Sequence, residues 1–183
     1  MHSEINDKLL IEMFKSSDSK NFAFNQIVLK YQERIYWHIR KIVTCHDDAD
    51  DLVQESFIKI WNSLDKFRGE SSLYTWIYRI ATNEVLAFLK KQKSHNHVSL
   101  QDVENDLRDT LKQDIYFNGD DAQIKLQQIL ASLPPKQRLV FNLKYFDGMK
   151  YEEIAEILDT SVGALKASYH IAVEKIKKNI NSI

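Results

Sequence analysis

Apolar residues along the chain recur at steps of three and four, the spacing that places them on one side of a helix. Residues 4–15 form a first short amphipathic helix, with Leu9, Leu10, Met13 and Phe14 on its apolar side, ended by the polar run SSDSKN. From Phe22 to Thr44 the residues Phe24, Ile27, Val28, Tyr31, Ile35, Ile39, Ile42 and Val43 predict one long helix buried along one side. Trp37 and His38 fall off that stripe or on its edge, so His38 is expected to be a solvated surface residue. The next helix, Ala49 to Leu64, turns Leu52, Val53, Phe57, Ile60, Trp61 and Leu64 inward and leaves Asp50, Asp51, Gln54, Glu55, Lys59 and Asn62 outward. A loop, FRGESS from Phe67 to Ser72, leads into a helix from Leu73 to Lys93.

After a stretch of weak periodicity, residues 94–121, a second helical unit begins at Ala122 with Ile124, Leu126, Ile129, Leu130 and Leu133. Pro134-Pro135 stops that helix and can start the next, because proline lacks the amide a helix interior needs but suits the first turn. The helix that follows carries Leu139, Val140, Leu143 and Phe146 and ends at Asp147-Gly148. The segment Tyr151 to Lys178 then reads as two helices joined by a very short turn. Ile154, Ile157 and Leu158 repeat in the first, with Glu152 and Glu153 in its opening turn where carboxylates suit the helix dipole. Ser161 is a good N-cap for the second, whose stripe is Val162, Leu165, Tyr169, Ala172 and Ile176. Ala155 is small enough for the two to cross closely. Such a pair is a helix-turn-helix, able to lay its second helix in a DNA major groove. An ordinary helical hairpin inside a bundle has the same local pattern.

Composition narrows the setting. Four glycines and two prolines in 183 residues leave few turns, in keeping with long helices. The single cysteine, Cys45, excludes an internal disulfide and fits a reducing compartment. No apolar run is long enough to span a bilayer, so a soluble, cytoplasmic protein that is not membrane-inserted is expected. The net charge of −1 hides an uneven layout. Lys and Arg stand against Asp and Glu as 14 to 13 over residues 1–93, 2 to 7 over 94–121, and 9 to 6 over 122–183. Two mildly basic ends around an acidic middle permit two DNA-binding parts separated by a segment with another task.

Candidate chemistry is sparse. The run CHDDADD at Cys45 to Asp51 lacks the recurring Cys and His spacing of a zinc site and the glycine turn and distal carboxylate of a calcium loop. It reads as the acidic start of a helix. His95 and His97 have no cysteine nearby. No glycine-rich phosphate loop, nucleophile elbow or HExxH occurs, so no catalytic residue, cofactor, metal or small-molecule substrate is expected. Between Leu73 and Lys93, by contrast, Tyr74, Trp76, Tyr78 and Phe88 interleave with Arg79, Lys90, Lys91 and Lys93. Stacking faces among cations suit unpaired bases and phosphates. Trp76 and Ile80 equally fit a helix core.

DADDLVQESFIKIW (Asp48 to Trp61), FRGESSLYTWIYRIATNEVLAFLKK (Phe67 to Lys91), LPPKQRLVFNLKYFDGMKYEEIAEIL (Leu133 to Leu158) and SVGALKASYH (Ser161 to His170) together resemble the two domains of extracytoplasmic-function sigma factors, the short branch of the sigma-70 family. The resemblance covers nearly the whole chain, in order and spacing. It implies a bacterial transcription initiation factor that binds the RNA polymerase core and directs it to promoter DNA. By that resemblance the outward face of Asp51, Gln54, Glu55 and Asn62 matches the part that docks on a coiled coil of the largest polymerase subunit. The FRGESS loop and the following helix match the part that opens the minus-10 element, with Arg68, Ser71, Ser72, Tyr74, Arg79 and Asn83 as candidates and Lys90 and Lys91 on phosphates. The helix after Ser161 matches the minus-35 reader. With its stripe inward, Gly163, Lys166, Ala167 and His170 point outward beside Ser161, and Lys166 and His170 are the polar contacts.

The chain departs from the family pattern at Ala164, Ala167, Ser168, Ile171 and Val173, where many members carry arginines, so fewer phosphate contacts are expected. Lys150 stands where the family usually caps the first helix of the pair with Ser or Thr. The resemblance also implies an anti-sigma factor as partner and a linker that threads into polymerase channels, where an acidic segment can mimic nucleic acid. A plain solvated tether fits the same composition.

The expected architecture is all-α: domains at residues 1–93 and 122–183, the second holding the helix-turn-helix, joined by a flexible acidic linker at 94–121. With no apolar stripe left over to weld them, the two domains are expected to move freely. A one-component helix-turn-helix regulator is the alternative function. It leaves the mixture of aromatic and basic residues at 67–93 unexplained.

Overall fold

The computed structural model describes residues 6–43, 45–95 and 121–180, including their side chains except at 93–95 and 121–124. Regular structure among these residues is helical throughout: α1 (Asp7–Lys15), α2 (Lys20–Arg40), α3 (His46–Ser63) with a 3-10 turn (Leu64–Lys66), α4 (Leu73–His95), α5 (Asp121–Ser132), α6 (Pro135–Tyr145), α7 (Tyr151–Leu158) and α8 (Val162–Ile180). Most of the expected linker, including His97, lies outside the described residues. At its edges α4 runs two residues past the expected end, and α3 starts three residues early, with Asp47 and Asp48 in its first turn.

Helices α1 to α4 form one bundle. Asn6 caps α1 by accepting from the Lys8 amide at 3.0 Å, and Leu10 and Phe14 on its inner face are fully buried. Phe14 meets Trp61 edge-on at 5.2 Å between ring centroids, and Phe24 of α2 meets the same indole at 4.9 Å. Ile35, Ile39 and Ile42 from the long apolar stripe are buried against Ile60, Ile77 and Val85. The stripe therefore buries the side of α2 that the sequence marks.

The C-terminal helices carry their own small cluster, in which Ile129, Leu130 and Leu133 pack with Phe141, Ala172 and Ile176. Helix α7 ends where Asp159 takes up a left-handed backbone conformation at φ 48°, and the Thr160 amide returns to the Ala155 carbonyl at 3.2 Å. This tight reversal leaves Ser161 as the N-cap of α8, its hydroxyl accepting from the Ala164 amide at 3.3 Å. Lys150 offers no such acceptor at the start of α7. The Glu153 carboxylate instead accepts from the Lys150 amide at 2.8 Å, which is half of a capping box and closes that helix end without a Ser or Thr.

The expectation of freely moving domains is corrected here. Helix α7 packs directly on α4, and Leu139, Leu143, Met149, Ile154 and Ile157 join the same buried cluster as the α1 to α4 core. The apolar residues of the C-terminal helices split into two sets, because α6 buries five consecutive residues, Leu139 to Leu143, and so has more than one buried side, while α7 turns Ile154 and Ile157 to the larger cluster.

Candidate functional site

Three surfaces carry the residues singled out from the sequence. On α3, Asp51, Gln54, Glu55 and Asn62 are all exposed on one face, spaced at three and four or a multiple of a turn. Ile58 lies in the middle of that face with 60% of its surface exposed. The pattern reading passed over it as neither core nor charge. A large aliphatic side chain held open among acids and amides is the composition of a docking face with an apolar centre. Burial first, and then repulsion from Asp51 and Asp47, pushes the Asp48 carboxyl up at the N-terminal edge of this face.

The second surface is the FRGESS loop with α4. Gly69 has φ 76°, a left-handed conformation that turns the loop, and the Lys15 ammonium donates to the Phe67 carbonyl at 3.4 Å behind it. Ser72 is the N-cap of α4: its hydroxyl accepts from the Thr75 amide at 3.0 Å. Arg68, Arg79, Asn83, Lys90 and Lys91 are exposed, and Ser71 is partly so. Tyr74 is placed differently from a free stacking platform. Its ring lies 4.5 Å from Tyr78 and 6.3 Å from Tyr31, half-buried in the core, and burial pushes its hydroxyl up. Tyr78 is fully buried, and Trp76 packs on Phe67 at 5.2 Å. The aromatic members of this stretch therefore mostly face inward, and the cations make up its outer side.

On α8, Ser161, Gly163, Lys166, Ala167 and His170 are all exposed, while Leu165 and Ala172 are buried. The Lys166 ammonium lies 5.8 Å from the Tyr151 ring centroid. One stripe faces the bundle and the opposite one is free, the arrangement a groove-reading helix needs.

A polar seam joins the two halves, and no sequence motif marked it. His38 is completely buried, a correction to its expected place on the solvated surface. Its Nε2 pairs with the Thr82 hydroxyl of α4 at 2.9 Å, and its Nδ1 with the Asp147 carboxylate at 3.3 Å. Asp147 also accepts from the Lys41 ammonium at 2.9 Å, and Asn142 donates to the Lys41 carbonyl at 3.3 Å. The loop that presents Asp147 is itself fixed. The amides of Phe146 and Asp147 both return to the Asn142 carbonyl, and Gly148, at φ 66°, turns the chain so that the Met149 amide reaches the Leu143 carbonyl.

Burial alone would push the Asp147 carboxyl up, but the hydrogen bond and charge of His38 and the ammonium of Lys41 outweigh it and hold the carboxyl below its usual range. The contribution of this carboxylate to packing of the two halves is thus full above the ordinary value of 3.8 and is lost as pH falls through the lowered one. An acid titration of interdomain packing should show that loss, and Asp147→Asn should abolish the pH-dependent part. An identical acid profile in the two chains would show that the carboxylate does not hold the seam.

Between the loop and α7 lies a cleft of about 610 Å³ that exposes Arg68, Arg79 and Lys66 from one side and Glu156 and Asp159 from the other. Among the described residues no grouping of His, Cys, Asp or Glu could hold a metal ion, and no helix is long and apolar enough to cross a membrane.

Comparison with known proteins follows the same division of the chain. The family model for sigma-70 region 2 matches residues 27–95, and that for sigma-70 region 4 matches residues 123–176. The ECF RNA polymerase sigma-E factor of Haemophilus influenzae is 32% identical, with all of both chains covered. That of Escherichia coli K12 is 31% identical, with all of this chain and 98% of the relative covered. Among solved structures, CnrH in complex with the cytosolic domain of CnrY superposes with a TM-score of 0.71 over 96% of this chain and 97% of that one, at 23% identity. The sigma factor RpoE of Bartonella quintana, in complex with the anti-sigma factor NepR, gives 0.67 over 86% and 96%, also at 23%. These two structures share the fold. With both regions matched in order, and relatives aligned from end to end, the chain belongs to the extracytoplasmic-function sigma factors of the sigma-70 family.

Proposed function

We propose that residues 1–93 bind the RNA polymerase core and open the minus-10 element, that residues 122–183 read the minus-35 element, and that the acidic segment 94–121 links them, in the cytoplasm. The observation that carries this reading is the segregation of the exposed candidates into separate faces. Acids and amides around Ile58 occupy α3, cations line the FRGESS loop and α4, and Lys166 and His170 project from α8. Each face has the chemistry its task needs: an apolar centre with a polar rim for protein, cations for phosphate, and a helix with a free polar stripe for a groove. The relatives' names and the structural neighbours' complexes support RNA polymerase core and an anti-sigma factor as partners. The chemistry proposed for these faces is recognition without turnover.

Gln54→Ala combined with Glu55→Ala should weaken association with core polymerase about tenfold while leaving the fold intact, since both side chains lie on the open face of α3. Ile58→Ser should have a comparable effect, because its exposed side chain contributes little to the folded monomer and much to a buried interface centre. The measurement is holoenzyme formation at limiting chain, with unfolding monitored in parallel. Undiminished association in both variants would remove α3 from the interface.

A further inference from the structure

We propose that Ile171 is a specificity-determining residue of α8 that packs on the C5-methyl group of a thymine in the upstream promoter element, so that this chain selects its duplex by an apolar contact as well as by Lys166 and His170. The inference deepens the assignment of minus-35 reading to α8 and rests on it. Ile171 is 45% exposed and belongs to neither buried cluster. One exposed isoleucine is ordinary on a protein surface, and it is the position on the helix that gives this one a task. At about 100° per residue, the buried Leu165, Ala172 and Ile176 mark the side of α8 that faces the bundle, and Gly163, Ala167 and His170 lie along the line opposite. Lys166 and Ile171 flank that line, one on each side, about 140° apart. With α8 in a major groove, the two therefore face opposite walls. Along the axis they are separated by about 7.5 Å at about 1.5 Å per residue, which is close to two base-pair steps of about 3.4 Å each.

A cation toward one wall and an aliphatic group toward the other read different chemistry. The ammonium suits guanine acceptors or a phosphate, whereas a branched hydrocarbon finds one apolar group on the major-groove edges, the thymine methyl. An isoleucine is short, and it meets a base edge only where the helix backbone comes deep into the groove. Gly163 and Ala167, both exposed and both small, permit that depth on the central line. At Gly163 an added Cβ would point into open space and the backbone has no left-handed angle, so nothing in the fold requires a glycine there. A glycine weakens a helix relative to alanine, and a bare backbone at this position is accounted for by a surface that comes against it from outside.

The test uses holoenzyme assembled from the full chain and core polymerase, on promoter fragments recovered by that holoenzyme from a genomic library. Each thymine of the upstream element is replaced in turn by deoxyuridine, which removes the methyl group and keeps the base pair. One such replacement should lower closed-complex binding by the parent chain about three- to tenfold. Binding by Ile171→Ser, already reduced on thymine DNA, should not respond to it. Ile171→Arg should bind duplex of any sequence more tightly, steepen the salt dependence by about one unit and lose the response to deoxyuridine. Gly163→Ala, with its unfolding midpoint unchanged or raised, should weaken binding to the same duplex. Undiminished binding by that variant would overturn the close approach and the methyl contact that depends on it. No response of the parent chain at any thymine, or an equal loss in the parent and Ile171→Ser, would also overturn the proposal. In either case a loss of duplex binding in Lys166→Ala would leave α8 standing as the reader. If Lys166→Ala and Ile171→Ser both bind duplex as the parent does, the assignment of minus-35 reading to α8 falls, and the methyl contact with it.

Discussion

Phe14→Ala should destabilise the chain by about 3–5 kcal/mol, the range for emptying an aromatic from a packed core. Phe14 is fully buried, meets Trp61 at 5.2 Å and Phe24 at 6.0 Å, and has the Lys20 ammonium 4.6 Å from its centroid. Its neighbours are large, rigid rings on α2 and α3, which cannot collapse into the space left behind, so the cavity term should be near the upper end. The edge-to-face contact with Trp61 adds to the loss. Helix α1 precedes the segment matched by the region 2 family model, which begins at residue 27. The substitution therefore asks whether this leading helix is part of the cooperative unit. Urea unfolding followed by far-UV circular dichroism should show a lower midpoint at unchanged slope. A loss below about 1 kcal/mol, within the ordinary scatter of single substitutions, would mean that α1 adds little to the folded state.

The helices were legible because each buries a stripe, and a stripe leaves a periodic trace. Ile35, Ile39 and Ile42 announce their burial by spacing alone. His38 does not, because a polar residue at the edge of a stripe is solvated unless some other element covers it. The element that covers it comes from residue 147, 109 positions away. Asp147 read locally as part of a helix stop, Asp-Gly, and in the structure the same turn aims its carboxylate at α2. Nothing within either segment records that the two meet. Tyr74 shows the converse error. Its place among cations suggested a base-stacking face, but helical position sets which way a ring points, and it packs on Tyr78. The capping of α7 was legible in part: the Glu153 partner of a capping box is present in the sequence, and the structure uses it without the customary hydroxyl. Ile58 was missed because only charged and apolar-inward residues were weighed. An aliphatic residue among the outward positions of an otherwise well-patterned helix was the available signal.

The division of labour between the two DNA-binding faces gives the other large expected effect. Lys166 is exposed on α8, away from the stripe that holds α8 to the bundle, so its removal should not disturb the fold. If it reads a base edge, Lys166→Ala should cost about 1–3 kcal/mol of duplex promoter binding, or roughly 5- to 150-fold in affinity. That contact is made to intact duplex, and a pre-melted template should not restore it. Arg79 is exposed on α4 and faces the cleft beside the FRGESS loop, where a contact counts once strands separate. Arg79→Ala should therefore spare initial binding and slow opening, because extruding a base costs a few kcal/mol of stacking that a partner side chain must help to offset. A pre-melted bubble supplies that cost in advance and should recover much of the activity. Tyr74→Ala is a poorer probe of the same step: the ring is half-buried against Tyr78, and its loss would mix a folding defect into the reading. Transcription by each holoenzyme on duplex and bubble templates separates the two roles. Rescue of Lys166→Ala by the bubble, with Arg79→Ala left inactive on it, would reverse the assignment of recognition to α8 and of melting to α4.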